Sequence, residues 1–159
     1  MPEGEIQLVS FKIGEEEFGV PISQVKEIVR LVHITPVPKA PSFIEGVVNL
    51  RGQILAVIDL AKRLQLKGKP RSEKTRIIVV ELNNNTVGMI VDEVSEVLRL
   101  PKENFEETPE IITTQIKQRY LKGVGKLGER LLILIDLNQV LSYEEIEDIN
   151  RMESKQGKE

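Results

Sequence analysis

An internal duplication constrains this chain more than any other feature. Residues 11–30, FKIGEEEFGVPISQVKEIVR, lie over residues 80–99, VELNNNTVGMIVDEVSEVLR. Gly19 then falls on Gly88, Val25 on Val94, Glu27 on Glu96 and Arg30 on Arg99, and Ile28 meets Val97. A second alignment lays IEGVVNLRGQILAVIDLAKRL from Ile44 over LKGVGKLGERLLILIDLNQVL from Leu121. It matches Gly46 with Gly123, Leu50 with Leu127, and Ile58-Asp59-Leu60 with Ile135-Asp136-Leu137. The two blocks keep their order in both halves, so the chain reads as two copies of one small unit.

Each unit reads as strands. Ile6 to Ile13 and Glu17 to Ile22 flank Gly14 as a hairpin. Ser23 and its repeat partner Asp92 stand where a helix N-cap would stand, which predicts a helical turn after each hairpin and a return to strand near Glu27–Val32 and Glu96–Leu100. The proline-rich ITPVPKAP cannot donate enough hydrogen bonds for a central strand and reads as a surface connection. Gly46–Leu50, a turn at Arg51-Gly52 and the apolar run Ile54–Ile58 follow. Asp59 caps a short helix Leu60–Leu64, and Asp136 does the same for Leu137–Leu141. The polar stretch KGKPRSE, residues 67–73, divides the halves.

These strands predict an all-β fold with short helices, in which each half closes about five short strands into a small barrel, and the length suits one compact domain or two small barrels sharing a core. The first barrel spans about residues 9–66 and the second about 74–141, with exchange of strands between them left open. Residues 142–159 form a C-terminal helix and tail, with KQGKE expected to be disordered.

Composition narrows the function. The formal net charge is -3 and aromatics are only 4%, which opposes a nucleic-acid binder. There is no cysteine, hence no disulfide, thiolate nucleophile or cysteine metal site. The first residues, MPEGEIQLV, show no leader pattern, and no apolar stretch approaches the roughly 20 residues of a membrane span, so a cytoplasmic protein without membrane insertion is expected. The 30% charged, cysteine-free composition leans towards a thermophile.

Chemical motifs are sparse. GVGKLG, residues 123–128, spells the dinucleotide fingerprint, but the strand-like RLLILI follows where a helix would have to start, so its glycines read as hairpin residues. His33 is the only histidine and reads as a surface or strand-edge residue. No catalytic residues, cofactor site or metal site are expected. Asn49-Leu50-Arg51-Gly52 stands apart. Its leucine recurs in the second copy, whereas Arg51 has no counterpart and is therefore available for function; its competing roles are a solvated turn residue or one pairing with a local acid such as Glu45. Glu27 recurs as Glu96 and Val25 as Val94, so both could be structural.

Residues 34–60, ITPVPKAPSFIEGVVNLRGQILAVIDL, resemble the signature stretch of CheW, the bacterial chemotaxis coupling family. FGVPISQVKEIVR, VGMIVDEVSEVLRL and YLKGVGKLGERLLILIDL fit the same family, and the resemblance runs from about Val9 to Leu141. One departure is Ala56, where the family usually has proline. The resemblance implies two five-stranded barrels and a non-enzymatic adaptor in a two-component system. It implies binding to the regulatory domain of the histidine kinase CheA and to the cytoplasmic tip of methyl-accepting chemoreceptors, with recruitment to membrane-associated receptor arrays. Carried over by position, the receptor-facing groove maps onto Val25, Glu27, Arg51 and Val97. A second kinase contact maps onto Phe105, Glu106, Glu107 and Ile111. Competing readings are a CheW-like regulatory fragment of a kinase or receiver fusion, a small barrel binding oligonucleotides, and an enzyme with paired carboxylates.

Overall fold

The computed structural model describes residues 4–82, 84–106 and 120–157. Its elements follow the repeat. In the first half β1 (Glu5–Ile13) and β2 (Glu16–Pro21) form a hairpin, followed by β3 (Val25–Arg30), β4 (Ile44–Leu50), β5 (Gln53–Asp59) and the short α1 (Leu60–Arg63). In the second half β6 (Arg76–Leu82) and β7 (Asn85–Val91) precede β8 (Glu93–Pro101), the two-residue β9 (Phe105–Glu106), β10 (Leu121–Leu127) and β11 (Arg130–Ile135). A C-terminal α2 (Tyr143–Gly157) closes the chain. It runs through Gly157, and Lys158 and Glu159 of the tail lie outside the described residues.

Two sheets result, ordered β8-β1-β2-β11-β10-β9 and β3-β6-β7-β5-β4. Neither sheet is built from one half. Each half gives its leading hairpin to the barrel formed by the later strands of the other. The exchange is reciprocal, because β8 and β3, β1 and β6, β2 and β7, β11 and β5, and β10 and β4 hold equivalent places. A parallel pairing joins the halves in each barrel: Leu134 with Gly19 in one, Val57 with Gly88 in the other.

Apolar residues line both faces of the central strands, as expected where each face meets a core. Val9, Phe11, Ile78, Val80, Ile58 and Ile135 belong to a core shared by both barrels. Their strand neighbours fill the separate barrel interiors, with Leu55, Val57, Ile77 and Val79 in one and Leu8, Leu100, Leu132 and Leu134 in the other. Gly46 and Gly123 serve the same purpose in each copy. A Cβ on Gly46 would lie 2.4 Å from the carbonyl oxygen of Thr35, and one on Gly123 would lie 2.4 Å from that of Glu106. Glycine lets a crossing segment lie directly on the strand.

Asp59 accepts from the Lys62 amide at 3.3 Å and Asp136 from the Asn138 amide at 3.0 Å, so both act as caps. Ser23 does not. It lies inside a 3-10 turn, Ile22–Gln24, that has no side-chain cap. Asp92 caps no helix either. It sits at a bend from β7 into β8, where its Oδ2 accepts from the Gly14 amide at 2.7 Å and the Lys69 amide at 2.8 Å. GVGKLG is strand and hairpin, and β11 follows it. A Cβ on Gly125 would meet Leu100 at 2.7 Å, so packing explains that glycine.

Candidate functional site

β3 and β8 are the first strands of their sheets and repeat partners. Each pairing carries a bulge. Val25 opposes Val80 and Glu27 opposes Val79, which leaves Lys26 as the extra residue. Phe11 opposes Val94 and Ser10 opposes Glu96, which leaves Ser95, the twin of Lys26. A bulge re-aims the side chains that follow it. Without one, Val25 and Glu27 would share a face. With it, Val25 faces the shared core, alongside Val80, whereas Glu27 turns to the opposite face.

Directly opposed residues in an antiparallel pair share a face. Val97 opposes Val9 and Ile28 opposes Ile78, and both partners belong to the shared core. Val97 and Ile28 therefore sit on the rims of that core. They are 57% and 38% exposed, two of the large apolar residues most open to solvent. Val25 and Val94, one turn of the pattern deeper, pack against the core. Sequence reasoning singled out Val97 but missed Ile28; the repeat pairing of the two was the available signal.

Arg51 occupies the tip of the β4–β5 hairpin with φ 51°, followed by Gly52 at φ 87°. Positive φ at both turn residues is the pattern of a tight hairpin whose twist suits the strands. The Gly52 amide donates to Asn49 Oδ1 at 2.8 Å, which fixes the turn. The matched residue of the second copy is Gly128, with φ 60°. Arginine thus takes a backbone conformation that its twin meets with glycine. Its guanidinium donates to Glu27 Oε2 at 2.5 Å, while the side chain stays 71% exposed.

Glu45 is not the partner of Arg51. It is held between Lys62 at 2.5 Å and Arg71 at 3.0 Å. Partial burial pushes its carboxyl up, but the hydrogen bonds and charges of Lys62 and Arg71 outweigh that, and the net shift is down. Arg51 does have an analogue in the second copy, two residues away from the aligned position. Arg130 donates to Glu96 at 2.9 Å and to Glu17 at 2.8 Å. Bonds to Glu17 and then Glu96 hold Arg130 firmly protonated. Glu27 and Glu96 thus each meet an arginine of the β4–β5 or β10–β11 hairpin, but only Arg51 sits at the turn itself.

Of the four mapped receptor positions, the structure joins Glu27 to Arg51 and sets Val25 on the same strand as Glu27. Val97 lies in the other sheet, on the rim equivalent to that of Ile28. Of the mapped kinase positions, Phe105 is half-buried against the barrel interior containing Leu8 and Leu100. Glu106 is exposed and pairs with Lys126 at 2.9 Å. Glu107 and Ile111 lie outside the described residues. His33 is exposed in the connection between β3 and β4. Among the described residues, no group of acidic or histidine side chains could hold a metal ion, and no helix is long and apolar enough to cross a membrane.

Comparison with known proteins gives a consistent result. The family model of the CheW-like domain matches residues 7–145. A chemotaxis protein CheW of Klebsiella aerogenes is 41% identical over 140 residues, covering 88% of this chain and 84% of that protein. One from Thermotoga maritima is 33% identical, covering 86% and 88%. The crystal structure of the scaffolding protein TtCheW from Thermoanaerobacter tengcongensis superposes with a TM-score of 0.80 at 36% identity, covering 91% of this chain and 92% of that one.

Proposed function

The chain belongs to the CheW family of chemotaxis coupling adaptors, and from that premise we propose that it joins the histidine kinase CheA to chemoreceptors without catalysing a reaction. The receptor's helical tip lies along the rim of the shared core. Val25 and Val97 give it apolar contact, as a groove does for an amphipathic helix, and Ile28 extends that contact. Arg51 offers a forked donor to receptor carbonyls or carboxylates, with Glu27 holding it in place until the partner arrives. The kinase's regulatory domain docks on other surfaces, one of them at Phe105, Glu106, Glu107 and Ile111. The protein works in the cytoplasm and is drawn to receptor arrays by these contacts.

The observation that carries this reading is Arg51: a long cation, open to solvent, held at positive φ where the second copy has glycine. Nothing in a hairpin turn requires that choice. A pull-down with the CheA regulatory domain, and separately with a receptor cytoplasmic fragment, tests it. Capture of each without the other supports the bridge. A folded protein that captures neither partner from its own organism would remove the function and leave the fold.

A further inference from the structure

We infer that the folded unit is a pair of half-chains, and that a second copy of this chain can supply either half. Residues 67–73 act as the hinge that decides between closure on itself and a reciprocally exchanged dimer. Neither half completes a barrel alone. The hairpin β1–β2 has its outer partners, β8 and β11, in the second half, and β6–β7 has β3 and β5 in the first. Every one of these contacts can be remade, strand for strand, with the other half of a second molecule.

What favours the monomer is the covalent link. A short flexible tether gives its ends an effective concentration on the order of millimolar, so a second copy cannot compete at ordinary protein concentrations. That advantage vanishes when the tether cannot span its ends, and shortened hinges are a recognised route to exchanged dimers. Here the tether is also fastened. Asp92, at the point where the chain crosses from one barrel into the other, accepts the Lys69 amide and the Gly14 amide on the same oxygen. The Lys67 carbonyl lies so close to Gly14 that a Cβ there would meet it at 2.6 Å. The hinge is thus laid across the β1–β2 turn and held there. In the exchanged dimer the rim bearing Ile28 and the strand opposite it would come from different molecules.

The test uses the whole 159-residue chain, which has no native cysteine. Lys12 and Glu93 oppose each other across β1 and β8, one in each half. Cysteines at both positions (Lys12→Cys with Glu93→Cys) report which chain pairs with which. With Lys69, Pro70 and Arg71 deleted, oxidation of the native fold is expected to give a covalent species of twice the chain mass on a non-reducing denaturing gel. The control pair Lys12→Cys with Glu17→Cys lies within one half, across β1 and β2, and stays monomeric. If the shortened chain folds and its 12–93 link forms within one molecule, the inference is overturned. If it does not fold, the chain with its natural hinge is refolded at rising concentration before oxidation. A covalent dimer fraction that grows with concentration supports exchange, and a monomer at every concentration overturns it.

Discussion

Replacing Arg51 with glycine separates function from fold at the hairpin tip. At φ 51° a side chain with a Cβ is strained by about 1–2 kcal/mol. Glycine relieves that strain but adds about 0.5–1 kcal/mol of unfolded-state freedom. The lost ion pair with Glu27 involves an exposed arginine, and such pairs contribute about 0–1 kcal/mol. These terms oppose one another, so the net change lies between about 1 kcal/mol destabilising and about 1.5 kcal/mol stabilising. At roughly 2–4 °C per kcal/mol for a chain of this size, the melting temperature moves by only a few degrees. Binding should respond differently. A charged hydrogen bond to the receptor is worth about 1.5–3 kcal/mol, or about a 10- to 150-fold loss in affinity. Calorimetric melting and titration with a receptor cytoplasmic fragment read both quantities on one preparation. A melting point lowered by tens of degrees would make Arg51 structural. An unchanged melting point with unchanged affinity would remove it from the receptor surface.

Other substitutions test the surrounding claims. Gly46→Ala and Gly123→Ala should each destabilise by about 1–3 kcal/mol in urea unfolding, because each added methyl meets a backbone carbonyl; tolerance at either position would break the equivalence of the copies. Arg63 donates from Nε to the Val140 carbonyl at 2.7 Å and through both terminal nitrogens to Glu145 at 2.8 and 2.7 Å. Arg63→Met should cost about 1.5–3 kcal/mol for a charged bond lost and increase hydrogen exchange in α2; unaltered exchange would mean that apolar packing alone seats the helix. The Glu45 carboxyl is lowered in the folded state, so its contribution is present at neutral pH and fades as pH falls through that lowered value. Glu45→Gln should therefore reduce stability at neutral pH and narrow its decline in acid; parallel pH profiles for the two proteins would contradict this. Ile28→Ser and Val97→Ser, on exposed rims, should change stability by about 0.5 kcal/mol or less while weakening receptor capture. Val25→Ser and Val94→Ser, packed on the core, should cost more stability, measured in the same melts.

Much of this was legible because the repeat fixes matched pairs rather than single residues. The two hairpins of the first half fell where the apolar runs placed them, and Asp59 and Asp136 cap as their positions required. By contrast, β3 and β8 begin two and three residues earlier than expected, because no full helical turn precedes them. The reciprocal hairpin exchange was not legible, for a physical reason. Two like halves present the same apolar pattern whether each hairpin folds onto its own half or onto the other, so periodicity is silent between the two. Ser23 and Asp92 misled because cap preference is a preference for accepting nearby amides. Asp92 meets that preference with Gly14 and Lys69, which are remote in sequence. The Glu27–Arg51 pair was foreseen as two site residues but not as a contact, since no spacing rule links a bulged strand to a distant turn.

The duplication also works as an internal control on function. What the two copies share is demanded by the common fold: the glycines under a crossing strand, the bulges at Lys26 and Ser95, and the acids at 27 and 96. Shared positions can still serve binding, because the exchange of hairpins turns β3 and β8 into equivalent rims of one core. Ile28 and Val97 are alike for that reason, yet no folding requirement keeps them exposed and apolar. Departures between copies say more. The second copy relaxes its turn with Gly128 and moves its arginine onto β11, where Glu17 and Glu96 engage three of its nitrogens. The first copy keeps Arg51 at the turn, strained, with one acid and an open side. An arginine with two acidic partners serves the barrel, whereas one with a single partner and a solvent-facing fork still has donors for another molecule. The asymmetry of these two hairpins is the reason for proposing the docking surface on the rim beside β3.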